Sequence, residues 1–400
     1  MNWTETNSFL RGIMNTMEEL HDPVRIASFD LDDTIIHRPT SRKGSQKWKL
    51  LDGNISKKIA KLIENGFIII FFTNQSSMGT SKTFDKNSWR KAMNDLTKIL
   101  FSEIGQENYY FAIYVAKKYD LYRKPNIGMW QQMKLDLKDE FDVDNGIRIS
   151  KKSFFCGDAA GRVRPGQFKK KMHPTSNKGD HSDTDRKFAL NIGINFLTPE
   201  EFYLKNAPVI QYTLSGVDPK QLIKTVIDSS YVFEPRKKEM IIMVGLPGAG
   251  KTEFVKKYIL PEKYVHINRD TCKSKTKCLD LTKKALEKKK SVVIDNTNPD
   301  VLSRMEYTLL AQEYGYHHIR AIIMNTEVSI AKHLNNVRHV YSNGTIPKIN
   351  NITYNIFKKK YVKPHKSEHF DEIEIVDFVF EPEYLDDPLW KKIFLKWSEF

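Results

Sequence analysis

Met240-Ile241-Ile242-Met243-Val244-Gly245-Leu246-Pro247-Gly248-Ala249-Gly250-Lys251-Thr252 decides the fold of half this chain. Its first five residues read as a buried strand, and a helical stretch follows from Glu253. Between them stands the full G-x-x-x-x-G-K-T pattern, in the strand–loop–helix context that gives it meaning. Gly245, Gly248, Ala249 and Gly250 are small enough for backbone N–H groups to converge on phosphate oxygens. The helix N-terminus adds a favourable dipole. Lys251 is expected to reach the β- and γ-phosphates, and Thr252 to ligate magnesium. A nucleotide and Mg2+ are therefore the expected ligands of this loop.

The residues that follow supply the rest of such a site. Val265-His266-Ile267-Asn268-Arg269-Asp270 ends a strand on an acid, and Asp270 could accept the proton of an attacking hydroxyl. Val292-Val293-Ile294-Asp295 does the same, with Asp295 expected to organise the metal. Arg338, on a helical pattern, could close over a transferring phosphoryl group or be a surface charge. Arg304 carries the same ambiguity and is expected on the nucleic-acid side.

A second set of loops lies upstream. Phe29-Asp30-Leu31-Asp32-Asp33-Thr34 follows an apolar strand at 24–29. Two carboxylates two residues apart at a strand end can share one crevice at the carboxyl edge of a sheet. One such acid can attack as a nucleophile while the other, protonated, serves the leaving oxygen. Thr73, Lys124 and Asp158 follow three further apolar runs, at 67–72, 110–115 and 153–155. They add a hydroxyl, a cation and a further acid, the parts that phosphoryl transfer needs.

Length and charge frame these sites. At 400 residues the chain holds two or three domains of about 150 residues each. Strand–helix alternation in both halves predicts α/β architecture. The formal charge is +15, which favours an anionic partner such as nucleic acid. It is shared: +8 over 1–205 and +7 over 206–400, with nine acids and no Lys or Arg over 368–387. No apolar run approaches the roughly 20 residues of a membrane span. Three cysteines, Cys156, Cys272 and Cys278, fit a reducing compartment rather than a disulfide scaffold.

The upstream loops resemble the haloacid dehalogenase superfamily of aspartate-nucleophile phosphatases. That resemblance implies Asp30 as nucleophile and Asp32 as general acid/base. It implies Thr73 and Lys124 as phosphate contacts, and magnesium held by Asp30, Asp32 and Asp158. Two positions depart from the pattern: Asp33 stands where glycine is usual, and Ala159 where a second acid often follows Asp158. Asp183 or Asp185 could supply that acid, or both are solvated loop acids.

Taken with Gly-Leu-Pro-Gly-Ala-Gly-Lys-Thr, Val-His-Ile-Asn-Arg-Asp and Ile-Asp-Asn-Thr-Asn-Pro-Asp, the chain resembles the polynucleotide kinase 3′-phosphatase family. Phe188-Ala189-Leu190-Asn191 and Thr198-Pro199-Glu200-Glu201-Phe202 also resemble it, and the likeness runs over roughly 22–365. It implies two domains, a haloacid dehalogenase-like Rossmannoid phosphatase at 22–205 and a P-loop kinase at 236–400. Both have mainly parallel sheets flanked by helices, with an extension at 1–21 and a connector at 206–235. The N-terminal phosphopeptide-binding domain of animal members is not expected, since about twenty residues leave no room for one.

The implied chemistry is hydrolysis of 3′-phosphate DNA ends and transfer of the ATP γ-phosphate to 5′-OH ends, with Asp270 as base for the 5′-OH. Arg162, Arg164, Lys169 and Lys170 would hold the strand behind the scissile phosphate. A monomer acting in the nucleus, without membrane contact, is expected. RNA ends and a small phosphorylated metabolite are the alternative substrates.

Overall fold

The run Phe67-Ile68-Ile69-Ile70-Phe71-Phe72 is apolar on both faces, as a strand covered by helices on both sides must be. In the computed structural model it lies at the centre of a seven-stranded sheet. The structure describes residues 1–37, 48–104, 108–163, 179–206, 211–225, 231–378 and 382–399.

The first nine strands are β1 (Asn2–Glu5), β2 (Phe9–Asn15), β3 (Arg25–Phe29), β4 (Ile36–His37), β5 (Lys49–Leu50), β6 (Phe67–Asn74), β7 (Tyr110–Ala116), β8 (Phe154–Cys156) and β9 (Asn195–Leu197). The large sheet runs β1-β2-β7-β6-β3-β8-β9, while β4 and β5 pair separately. From β7 to β9 all pairings are parallel; β1–β2 and β2–β7 are antiparallel. Alternation along the strands fills two cores. Ala27, Phe29, Ile69 and Phe71 enter one, and Ile26, Ile68, Ile70 and Phe72 the other. The chain leaves β3 for β6 and β7 on one side and returns to β8 and β9 on the other. Such a reversal opens a crevice at the carboxyl ends of the strands, and ligands of open α/β sheets bind there.

The second sheet is entirely parallel. It consists of β10 (Glu239–Val244), β11 (Val265–Ile267), β12 (Val292–Ile294), β13 (His318–Asn325) and β14 (Glu372–Asp377), in the order β11-β12-β10-β13-β14. All six residues of β10 are buried. Here the reversal falls beside β10, so the glycine-rich loop leaves the sheet at its switch point.

Chain contacts define two compact units, Met1–Ser215 with Lys396–Glu399, and Gly216–Leu395. Residues 1–21, expected as an extension, instead supply β1 and β2 to the first sheet. The expected connector includes a short helix, Pro219–Leu222, that belongs to the second unit. The acidic stretch 368–387 includes β14, whose Glu372 and Glu374 pair with Arg236 and Arg320. Among the described residues no helix is long and apolar enough to cross a membrane.

Candidate active sites

Asp30 lies immediately past β3, its N–H donating to the Cys156 carbonyl of β8 at 2.8 Å. The turn that follows is tight. Both Ile35 and Ile36 donate back to the Leu31 carbonyl, at 2.9 and 3.0 Å. Asp33 closes the turn in the left-handed region, at φ +56°. That conformation explains why glycine would suit this position, and aspartate is among the few side chains that tolerate it. Asp33 is held by its Oδ1 contact with His37 Nδ1 at 2.9 Å.

Asp32 turns toward the end of β6. Gln75 Nε2 donates to Asp32 Oδ2 at 2.5 Å and lies 3.1 Å from Thr73 Oγ1. Thr73 is buried. Asn74 and Lys124 are joined through both backbone groups of the lysine: Lys124 N–H donates to Asn74 Oδ1 at 3.0 Å, and Asn74 Nδ2 to the Lys124 carbonyl at 3.2 Å. The buried Lys124 ammonium then bridges Asp30 Oδ1 and Asp185 Oδ1, each at 2.6 Å.

Of the two acids Asp183 and Asp185, Asp185 is the one that bonds Lys124. It sits in the first turn of the helix Thr184–Ile192 and accepts the Ala159 N–H at 3.0 Å. Asp183 instead accepts the Ser215 hydroxyl and pairs with Lys187 at 3.0 Å. Gly157 permits this approach, since a Cβ there would stand 2.4 Å from Asp185 Oδ2. One carboxylate oxygen each from buried Asp30, Asp158 and Asp185 falls within a 4.8 Å cluster. Asp32 is outside it.

Burial raises the Asp30 carboxyl well above its usual range, against the pull of Lys124, and Asp185, Asp158 and Asp32 add to the rise. Burial also disfavours the Lys124 ammonium, but Asp185 and Asp30 more than offset this and hold it protonated. Three buried carboxylates and one lysine leave negative charge in excess. A hard divalent cation fits that donor set, and these oxygens are the ligand type magnesium takes.

In the second unit, Gly248 has φ +75°, and a Cβ there would meet the Ala331 carbonyl at 2.8 Å. Glycine is therefore required by both conformation and space. Gly250 has φ +87° and opens the helix at Lys251. Lys251 Nζ donates to the carbonyls of Gly245 at 3.0 Å and Leu246 at 2.7 Å, so its ammonium curls over the loop. Thr326 Oγ1 braces the loop from β13's end through the Ala249 carbonyl at 3.1 Å.

Asp295 organises the neighbouring polar groups. Its Oδ2 receives Thr252 Oγ1 at 2.8 Å and Asn268 Nδ2 at 2.9 Å, and lies 2.9 Å from His266 Nε2. Burial alone would raise Asp295, but hydrogen bonds from His266, Asn268 and Thr252 keep it below the usual carboxylate range. Thr252 and Asp295 thus offer adjacent hard oxygens suited to magnesium. Asp270 opens the helix Arg269–Cys272, with its N–H capped by Asn268 Oδ1 at 2.8 Å. Arg338 is exposed on the helix Val328–Tyr341, 3.4 Å from Asn335 Oδ1. Burial pushes Lys251 down to about 8, against the pull of Asp295 and Asp270, and Arg338 adds to the fall. Those four residues therefore share one electrostatic neighbourhood.

Two expected nucleic-acid contacts are corrected. Arg162 is buried, its Nε 2.8 Å from Asp180 Oδ2, its Nη1 on Glu200, and its Nη2 donating to the Asp158 carbonyl at 3.2 Å. It braces the acidic loop from behind. Arg304 is fully buried and bidentate on Glu368 at 2.7 and 2.9 Å. A guanidinium so enclosed cannot meet a phosphate backbone. Arg164, Lys169 and Lys170 lie outside the described residues. Gln75, Asp180, Glu200, His266 and Asn268 also join these sites, though they are not among the expected site residues. His266 and Asn268 belong to the run Val265–Asp270, so their place at a strand end is the available signal.

Fold and sites define a class: an enzyme carrying an α/β phosphatase domain and a P-loop kinase domain. A family model described as polynucleotide kinase 3 phosphatase matches residues 25–203, and one described as an AAA domain matches 240–348. The chain is 61% identical to a candidate bifunctional polynucleotide phosphatase/kinase of Acanthamoeba polyphaga mimivirus, covering 100% of this chain and 96% of that protein. It is 30% identical to the bifunctional polynucleotide phosphatase/kinase of Schizosaccharomyces pombe, over 90% of this chain and 82% of that one. It is 32% identical to a polynucleotide 3′-phosphatase of Arabidopsis thaliana, over 47% of this chain and 25% of that one. The chain belongs to the bifunctional polynucleotide phosphatase/kinase family.

Proposed function

We propose that this enzyme heals DNA strand ends, hydrolysing 3′-phosphates to 3′-OH and phosphorylating 5′-OH ends with the γ-phosphate of ATP. The observation that carries the first half is the Lys124 bridge between Asp30 and Asp185 at 2.6 Å. It places a fixed cation beside the candidate nucleophile at the switch point of the sheet.

In the first reaction Asp30 attacks phosphorus and the bond to the 3′-oxygen breaks. Asp32, held by Gln75, gives its proton to that leaving oxygen. Water then attacks phosphorus of the Asp30 acyl phosphate and the P–O bond to the carboxylate breaks, with Asp32 taking the water's proton, so that inorganic phosphate and free Asp30 result. Thr73 and Lys124 hold the phosphoryl oxygens. Asp30, Asp158 and Asp185 would hold magnesium, which neutralises charge developing on those oxygens.

In the second reaction Asp270 accepts the proton of the 5′-OH, whose oxygen attacks the γ-phosphorus as the bond to the β-phosphate oxygen breaks. Lys251 and Arg338 offset charge on the transferring group, and Thr252 with Asp295 would hold its magnesium.

The test is phosphate release, with Mg2+ present, from a 3′-phosphorylated DNA oligonucleotide, its RNA counterpart and a free sugar phosphate in competition. The reading expects DNA to be preferred. Equal or better turnover of RNA would move it to RNA ends, and preference for the sugar phosphate would overturn it.

A further inference from the structure

We propose that Asn191 and Glu399 are positioning residues for phosphate hydrolysis, working through the segment Lys396–Glu399 to fix the loop that carries Lys124. The inference rests on the phosphatase reading of the acidic crevice.

From the neighbouring strand Lys124 is held by the Asn74 pair at 3.0 and 3.2 Å. Its other flank is Pro125, which has no N–H to offer. Asn191 takes the Pro125 carbonyl through Nδ2 at 2.9 Å. The same Nδ2 donates to the Trp397 carbonyl at 2.9 Å, and Asn191 Oδ1 accepts the Trp397 N–H at 2.7 Å. One amide side chain therefore binds Trp397 as a strand neighbour would, while it holds the catalytic loop. On the preceding side, Glu399 receives Arg123 Nε at 3.0 and 3.1 Å and Nη2 at 2.9 Å. Glu399 thus grips Arg123 directly, and Asn191, itself bound to Trp397, grips Pro125, with Lys124 between them facing Asp30 and Asp185.

The segment also holds the helix that carries Asp185, the partner of Lys124. Asp185 and Asn191 lie on one helix, Thr184–Ile192, together with Lys187. Lys187 Nζ donates to the Ser398 carbonyl at 3.1 Å, and both residues are fully buried. The segment therefore spans the two elements whose side chains meet at 2.6 Å across the site. Arg123 and Glu399 are 276 residues apart in sequence, so local chain geometry does not bring them together. A charge-assisted, forked pair with that separation is a device for orientation. None of these groups reaches the Asp30 carboxylate; they act through the lysine.

The experiment uses the full chain with Glu399→Gln, Asn191→Ala and the conservative Glu399→Asp, assayed on a 3′-phosphorylated oligonucleotide with Mg2+. Outer partners of catalytic ligands are typically worth about 10- to 100-fold, so Glu399→Gln and Asn191→Ala are expected to lower kcat about 10-fold. KM for the oligonucleotide should change by less than about threefold, since the reacting centre and not the strand contact is disturbed. Glu399→Asp should recover most of the rate, and Glu399→Gln should add little further loss to Arg123→Gln. ATP-dependent 5′-phosphorylation by the same preparations reports folding and should stay at the wild-type level. Wild-type kcat in both variants, or parallel loss of both activities with the thermal transition, overturns the inference. A wild-type enzyme that leaves the 3′-phosphate in place overturns the parent reading, and this inference with it.

Discussion

Asp185 serves two groups at once: it fixes Lys124 at 2.6 Å and completes the acidic cluster with Asp30 and Asp158. Asp185→Asn keeps the shape but removes the charge. It should lower 3′-phosphate hydrolysis on the order of 100-fold and raise the Mg2+ concentration for half-maximal rate, measured by magnesium titration. A variant with wild-type magnesium response would exclude Asp185 from the site. Arg304 makes the opposite kind of prediction. Arg304→Ala strands the buried Glu368 carboxylate, a loss of about 3–5 kcal/mol in denaturant unfolding, with no change in the salt dependence of DNA binding. The residue scale is also where the sequence was hardest to read. Asp30, Asp32, Thr73, Lys124 and Asp158 each follow an apolar strand, so their place was legible. Asp185 follows Asp158 at a distance of 27 residues and opens a helix, where acids are common as caps. Arg162 and Arg304 misled because charge does not report burial, and their acidic partners lie as far as 64 residues away.

β1 carries little signal in the sequence. Asn2–Glu5 is four residues long and mostly exposed, so it has no apolar signature. It is held by register with β2 and by Glu5, which binds Lys86, Arg90 and Lys117, each at 2.7 Å. Hydrogen bonds from Lys117 and Lys86 lower the Glu5 carboxyl to about 2 from 4.5. A depressed carboxyl stabilises the fold above its unfolded value, and that contribution is lost as pH falls through the folded value. Wild type should therefore exceed Glu5→Gln in thermal stability above pH 4.5, with the difference fading toward pH 2. A difference that persisted at pH 2 would remove Glu5 as the pin. β14 was obscured for a related reason. It lies in the acid-rich stretch 368–387, which holds no Lys or Arg, yet Glu372 and Glu374 face Arg236 and Arg320 within the second unit. By contrast β6, β10 and β12 were plain, since apolar runs between turn signals have few alternatives.

At the scale of the whole molecule, the charge of +15 and two phosphate-handling sites in separate compact units make one account. Binding of a single-stranded oligonucleotide should weaken with salt at a log–log slope of about −0.7 per phosphate contacted; a flat response would deny the basic surface a role. Each unit is expected to carry one activity. The direct test is a nicked DNA duplex with 3′-phosphate and 5′-OH ends, with Mg2+ and with or without ATP, given to wild type, Asp30→Ala and Lys251→Ala. Wild type should yield 3′-OH without ATP, and 5′-phosphate only with it. Asp30→Ala should retain only the second product and Lys251→Ala only the first, whereas loss of both products in either folded variant would contradict the account.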